Sequence, residues 1–136
     1  APGAALFTCW CNNIDCPRQK HTDAPKTDAA SDHQRFAAHL FDVYGYGLTP
    51  LRKPVSGFLM LLHKERVMNA GGFPGIGQFD EDWGLCRKLL RAGHELYRMN
   101  GLYCFHLRDR SVGAFISDDP TSKELWEMEQ KRRRGE

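Results

Sequence analysis

No apolar run in the 136 residues approaches the roughly 20 needed to cross a bilayer, and the opening residues are not expected to act as a signal peptide. Charge is nearly balanced: 19 Lys and Arg against 17 Asp and Glu leave a net charge of +2. That is too little to imply nucleic acid or a membrane surface as partner. The five cysteines, Cys9, Cys11, Cys16, Cys86 and Cys104, are odd in number and unevenly spread. This is unlike a secreted disulfide framework and predicts a reduced, cytoplasmic setting. Repeats and low-complexity tracts are absent too, which excludes solenoid and linker architectures.

What remains is ordinary globular composition, 41% hydrophobic and 26% charged, at a length that suits one domain with a real core. Ala4 to Cys11 is apolar and reads as a buried strand. Residues 12–32 turn polar around Pro17 and Pro25 and read as a long, mobile surface loop. Ser31 or Asp32 can cap a helix to Tyr44, with Phe36, Leu40 and Val43 on its stripe and His33 and His39 at the surface or satisfied. Gly45 to Pro50 reads as a turn-rich connection. Pro54 to Leu62 reads as a second strand, and its Ser56-Gly57 suits a place where a ligand approaches the backbone. A short helix over 65–70 stops at Gly71-Gly72, and a flexible loop leads to a helix over 80–92 that Gly93 terminates. Short strands near 95–99 and 102–107 follow, then a last helix over 120–134. The expected fold is α/β, a mixed sheet with flanking helices.

Two clusters carry chemistry. Cys9, Cys11, Cys16 and His21 are the ligand types zinc prefers, but Cys-x-Cys inside a strand lacks the usual knuckle spacing, so buried structural thiols are the favoured reading. Asp80-Glu81-Asp82-Trp83 places three carboxylates at the head of a helix. The helix dipole favours acids there by about 0.3–1 kcal/mol each. Dipole effects account for one or two acids, but not for the glycine-rich loop before them or the Trp after them.

The ordered set Val55-Ser56-Gly57-Phe58, Lys64-Glu65-Arg66-Val67, Gly71-Gly72-Phe73, Glu81-Asp82, Leu85-Cys86, Arg91-Ala92-Gly93 and His106 resembles the C-terminal half of family 2 glycosyltransferases. The match covers roughly residues 54–108. Gly84 departs from it, standing where the family often has a further Asp. The resemblance implies a GT-A fold and transfer of a sugar from a nucleotide-diphosphate donor to an acceptor hydroxyl. It assigns Asp82 as general base and Glu81 as the residue that orients acceptor or loop. Ser56, Gly57, Gly72, Phe73, Trp83 and Arg108 would contact substrate. His106 would help hold a divalent metal, Mn²⁺ or Mg²⁺, at the diphosphate. The donor-binding half is expected to lie outside this chain. Strands 4–11 and 54–62 would then expose an apolar edge and favour a homo-oligomer. The competing readings are a GT-A-derived interaction module without catalysis and, further behind, a small zinc-stabilised domain.

Overall fold

A computed structural model describes residues 2–12, 14–73, 81–106, 127–128 and 130–136. The chain divides into two compact units, Ala1–His106 and Leu107–Glu136. In the first the elements run β1 (Ala4–Cys11), α1 (Ala30–Tyr44), β2 (Leu48–Leu51), β3 (Leu61–Leu62), α2 (Lys64–Asn69), α3 (Glu81–Arg91) and β4 (Glu95–Cys104). In the second, residues 127–128 and 130–133 are helical, and the remainder of the helix expected over 120–134 lies outside the described residues. No helix among the described residues is long and apolar enough to cross a membrane.

The fold is α/β, as expected, around one mixed sheet in the order β2-β4-β1-β3. β1 runs parallel to β4, while β2 and β3 lie antiparallel on the two edges. Register explains the core. Leu62, Leu6, Leu96 and Leu51 are successive partners across all four strands. That row packs with Val67 of α2 and with Leu85, Cys86 and Leu89 of α3. These helix positions recur at three- and four-residue steps and form one buried stripe. A second cluster joins Leu40 of α1 to Ala24 and Tyr103, with Trp10 and Phe36 packed against it.

Four expectations are corrected. Gly45 to Pro50 is more than a connection, because Leu48–Leu51 forms an edge strand on β4; Pro50 is tolerated because an edge leaves one side of the ladder free. The two strands expected over 95–107 are one strand ending at Cys104, with a shift of register between Cys9 and Trp10 that takes in Asn100 and Gly101. Gly101 is needed for contact: a Cβ there would lie 2.1 Å from the carbonyl oxygen of Gly45. α1 begins at Ala30 without a side-chain cap, so Ser31 and Asp32 fall within its first turn, where Asp32 accepts from Thr27 Oγ1 at 2.7 Å. Finally, of the two stretches expected to expose an apolar edge, β1 is an interior strand, while β3 within 54–62 lies at the sheet edge with Leu61 exposed.

The largest correction concerns Pro54 to Leu62, of which only Leu61–Leu62 is strand. The backbone groups that a strand would pair with a neighbour are taken by side chains. Gln19, fully buried, accepts from Ser56 N–H at 2.8 Å and donates to Ser56 C=O at 2.9 Å. Its amide also donates to Thr8 Oγ1 at 2.8 Å, and Thr8 donates to Leu59 C=O at 2.9 Å. Arg18 holds the Pro54 carbonyl through Nε at 3.0 Å. The stretch after β1 is therefore no mobile surface loop. Ile14, Cys16, Gln19 and Ala24 are buried, and the Gln19 carbonyl accepts from Cys11 N–H at 2.7 Å.

The histidines and thiols follow from the same packing. His33 is buried, with Nδ1 2.6 Å from Tyr103 Oη and Nε2 2.7 Å from the Thr27 carbonyl. None of the five cysteines is in a disulfide, and four are buried. Burial pushes the Cys9 thiol up to about 12, helped by Cys104 and Cys11, as for a thiol in the interior. The other face of the sheet, around Phe7, Leu48, Leu61 and Met99, forms an apolar groove with Phe41 and Tyr46 at the end of α1.

Replacing Gln19 with Leu leaves the Ser56 N–H and C=O without their partner inside the protein. Urea denaturation is expected to show a loss of about 1–3 kcal/mol, with the secondary structure of the native state retained. A second outcome concerns pH. His21 is wedged between Trp10 and Phe36, and burial, reinforced by Arg98 and opposed by Asp23, lowers its pKa. The folded ring thus binds a proton less readily than the unfolded one. Its contribution is present above the ordinary imidazole range and is lost as pH falls through it. His21→Gln should flatten that part of a stability–pH curve.

Candidate functional site

Asp82 sits in the first turn of α3, half-buried, where the dipole and the unpaired N–H groups of a helix start favour a carboxylate. Its Oδ1 accepts from Trp83 N–H at 2.9 Å, and its Oδ2 accepts from Gly57 N–H at 2.7 Å. The second bond reaches across 25 residues to the loop that Gln19 pins. Gly57 is required for the approach, since a Cβ there would lie 2.9 Å from Asp82 Cβ and 3.4 Å from Oδ2. Each carboxylate oxygen has two lone pairs, so Asp82 keeps accepting capacity beyond these two bonds.

Beside it, Cys86 donates its S–H to the Val55 carbonyl at 3.8 Å, joining the next turn of α3 to the same loop. Burial raises the Cys86 pKa, and Asp82 and Cys16 add to the rise. This thiol is a packing group rather than a nucleophile.

The next loop residue, Phe58, has its ring 6.2 Å from that of His106. His106 follows the end of β4, and Asn12 fixes its backbone there. His106 N–H donates to Asn12 Oδ1 at 2.7 Å, and Asn12 Nδ2 donates to the His106 carbonyl at 3.4 Å. Two successive loop residues, Gly57 and Phe58, thus connect the helix-start acid to the strand-end histidine. Glu81 is exposed beside Asp82. Trp83 is partly exposed, 38%, with the Arg87 guanidinium 5.7 Å from its ring centre.

The remaining expected site residues are placed differently. Ser56 has its backbone N–H and C=O engaged by Gln19. Gly72 lies beside Lys88, whose Nζ donates to the Gly71 and Gly72 carbonyls at 3.4 and 3.3 Å, and Phe73 is exposed. Lys88 is six residues beyond Asp82, about 9 Å along a helix axis. Asp80 and Arg108 lie outside the described residues.

The metal expectation rests on His106. Among the described residues, no three His, Cys, Asp or Glu side chains come together in a way that could hold a metal ion. The described residues therefore do not by themselves make a cage for Mn²⁺, Mg²⁺ or zinc. The thiols and His21 divide between separate contacts: Cys11 and Cys16 pack with Ile14, and the His21 ring lies on Trp10 and Phe36.

Gln19, Thr8 and Asn12, which position the site without being its reagents, were not legible in advance. Gln19 and Ser56 are 37 residues apart, and the composition around Gln19 reads as plain loop. A search of known protein families, curated proteins and solved structures finds no match to this chain.

Gly57→Ala forces the loop and α3 apart. A destabilisation of about 1–3 kcal/mol is expected, together with faster amide hydrogen exchange at positions 57 and 83. Unchanged exchange at both positions would show that the bond between the loop and Asp82 does not hold them together.

Proposed function

We propose that this chain is the acceptor-activating part of a glycosyltransferase, moving a sugar from a nucleotide-diphosphate donor to a hydroxyl, with Asp82 as general base. The observation that carries the reading is the placement of Asp82. It is a carboxylate at a helix start, oriented by two backbone N–H groups, with lone pairs to spare and exposed Trp83 beside it. The resemblance of residues 54–108 to family 2 glycosyltransferases supports the same assignment.

In the proposed reaction, the acceptor hydroxyl oxygen attacks the anomeric carbon as its proton passes to Asp82. The bond to the nucleoside diphosphate breaks, and the diphosphate leaves with the electron pair. Gly57 N–H and Trp83 N–H hold the carboxylate while it takes the proton. Glu81 orients the acceptor, and Trp83 and Phe73 offer aromatic faces to sugar rings. His106 and Arg108 are assigned to the diphosphate by the same resemblance. The donor is bound by a partner half.

A second reading has its own observation. The apolar groove lined by Phe7, Phe41, Tyr46, Leu48 and Leu61 suits a non-catalytic interaction module. Titration calorimetry with nucleoside diphosphates and Mn²⁺ separates the two, because only the transferase reading requires donor recognition in the complete protein.

Asp82→Asn tests the base directly. Turnover is expected to fall about 10²–10⁴-fold. Stability should fall by about 1–3 kcal/mol with folding retained, because the one Asn oxygen keeps only one of the two N–H bonds that Asp82 accepts. Glu81→Gln should cost less turnover. Full turnover in the folded Asp82→Asn protein would remove the assignment.

A further inference from the structure

At the opposite end of the sheet, where β1 and β4 begin, a polar pocket of about 390 Å³ is lined by Pro2, His63, Glu65, Arg66, Asn69 and His94, with Ala92. Three separate parts of the chain build it: the start of β1, α2 with the residue before it, and the turn from α3 into β4. Its volume lies in the range of small-molecule sites.

The hydrogen bonds around the pocket determine what its rings can offer. His63 Nδ1 accepts from Arg66 N–H at 3.4 Å, and His94 Nδ1 accepts from Gly3 N–H at 3.3 Å. A neutral imidazole that accepts at Nδ1 carries its proton on Nε2. Both rings therefore enter the pocket wall as donors. Arg66 adds a guanidinium anchored to the Ala4 carbonyl through Nη1 and packed so closely on Gly3 that a Cβ there would lie 2.6 Å from Cζ. Only one of its five N–H groups is used by that anchor. Asn69 adds an amide. Glu65 is the single carboxylate on this wall and offsets the Arg66 charge, so recognition would depend on directed donors more than on net charge.

We infer that this pocket binds the phosphate group of a small molecule through His63, His94, Arg66 and Asn69. A cation is the poorer fit. Rings that carry the proton on Nε2 and accept at Nδ1 offer a metal no vacant nitrogen, and no metal-holding group of three occurs among the described residues. The site is separate from Asp82 and stands whether or not sugar transfer does.

The test is side-chain ¹H–¹⁵N NMR of the six histidines in the intact chain. Inorganic phosphate, a simple phosphomonoester and chloride are titrated at matched ionic strength. The expected result is a saturable shift of His63 and His94 Nε2 with both phosphates and not with chloride. A tighter midpoint for the ester would identify a phosphorylated metabolite, and a tighter midpoint for the free ion would identify phosphate itself. His63→Asp keeps an acceptor for Arg66 N–H but places a negative charge in the pocket, and should abolish the His94 shift. Asn69→Leu removes a donor that makes no backbone bond and should weaken the midpoint several-fold. The inference is overturned if no saturable shift occurs, or if all six rings, His106 included, move together. It is equally overturned if both folded variants titrate like the parent.

Discussion

The structure depends on one buried amide. Gln19 spends both amide hydrogens and its oxygen on Thr8 and Ser56, while its own carbonyl accepts from the end of β1. In the interior such a group is costly to bury without partners, and once satisfied it specifies a single arrangement. Here it converts a stretch of strand-like composition into a pinned loop. Because Ser56 is held, Gly57 N–H faces α3 and meets Asp82. Because Phe58 follows, the same loop reaches His106. The acid, the glycine and the histidine share one neighbourhood through a residue that touches neither carboxylate nor imidazole.

The sheet separates two polar regions along the strand direction. β1 and β4 are parallel, so their C-terminal ends lie together, and there Asn12 and His106 are bonded. α3 runs back between the two ends, with Asp82 in its first turn and His94 just past its last. A parallel pair joined by a returning helix gives each end of the sheet its own set of helix and strand termini. At one end the termini present a carboxylate, and at the other they present donors. The leucine row from β3 to β2 lies between them and packs against α2 and α3.

The thiols illustrate how tertiary context decides between structure and chemistry. Cys9 and Cys11 alternate along β1, and Cys104 stands opposite Cys11 in β4. In isolation the set could be read as ligands. Burial raises the Cys9, Cys86 and Cys104 pKa values, which keeps those sulfurs protonated and makes them small apolar fillers.

Local pattern alone determined β1, the three helices to within a residue or two, and the acidic start of α3, because period and end signals are contained in neighbouring residues. The Asp82 carboxylate was legible as a candidate for the same reason: its position at a helix start is a local fact. Only the tertiary structure decided that Leu48–Leu51 is a strand, that Ser56 and Gly57 are not, and that Asp82 bonds to Gly57. Leu48–Leu51 is short and holds a proline, and its partner lies some 50 residues away in β4. Nothing near Gln19 in the chain announces a buried hub, since its value comes from three groups on two distant segments. Short-range patterns encode which residues prefer to be helical or buried. Which polar groups satisfy one another across the core is settled only when the chain closes on itself, because an unpaired buried group costs more than any local preference can supply.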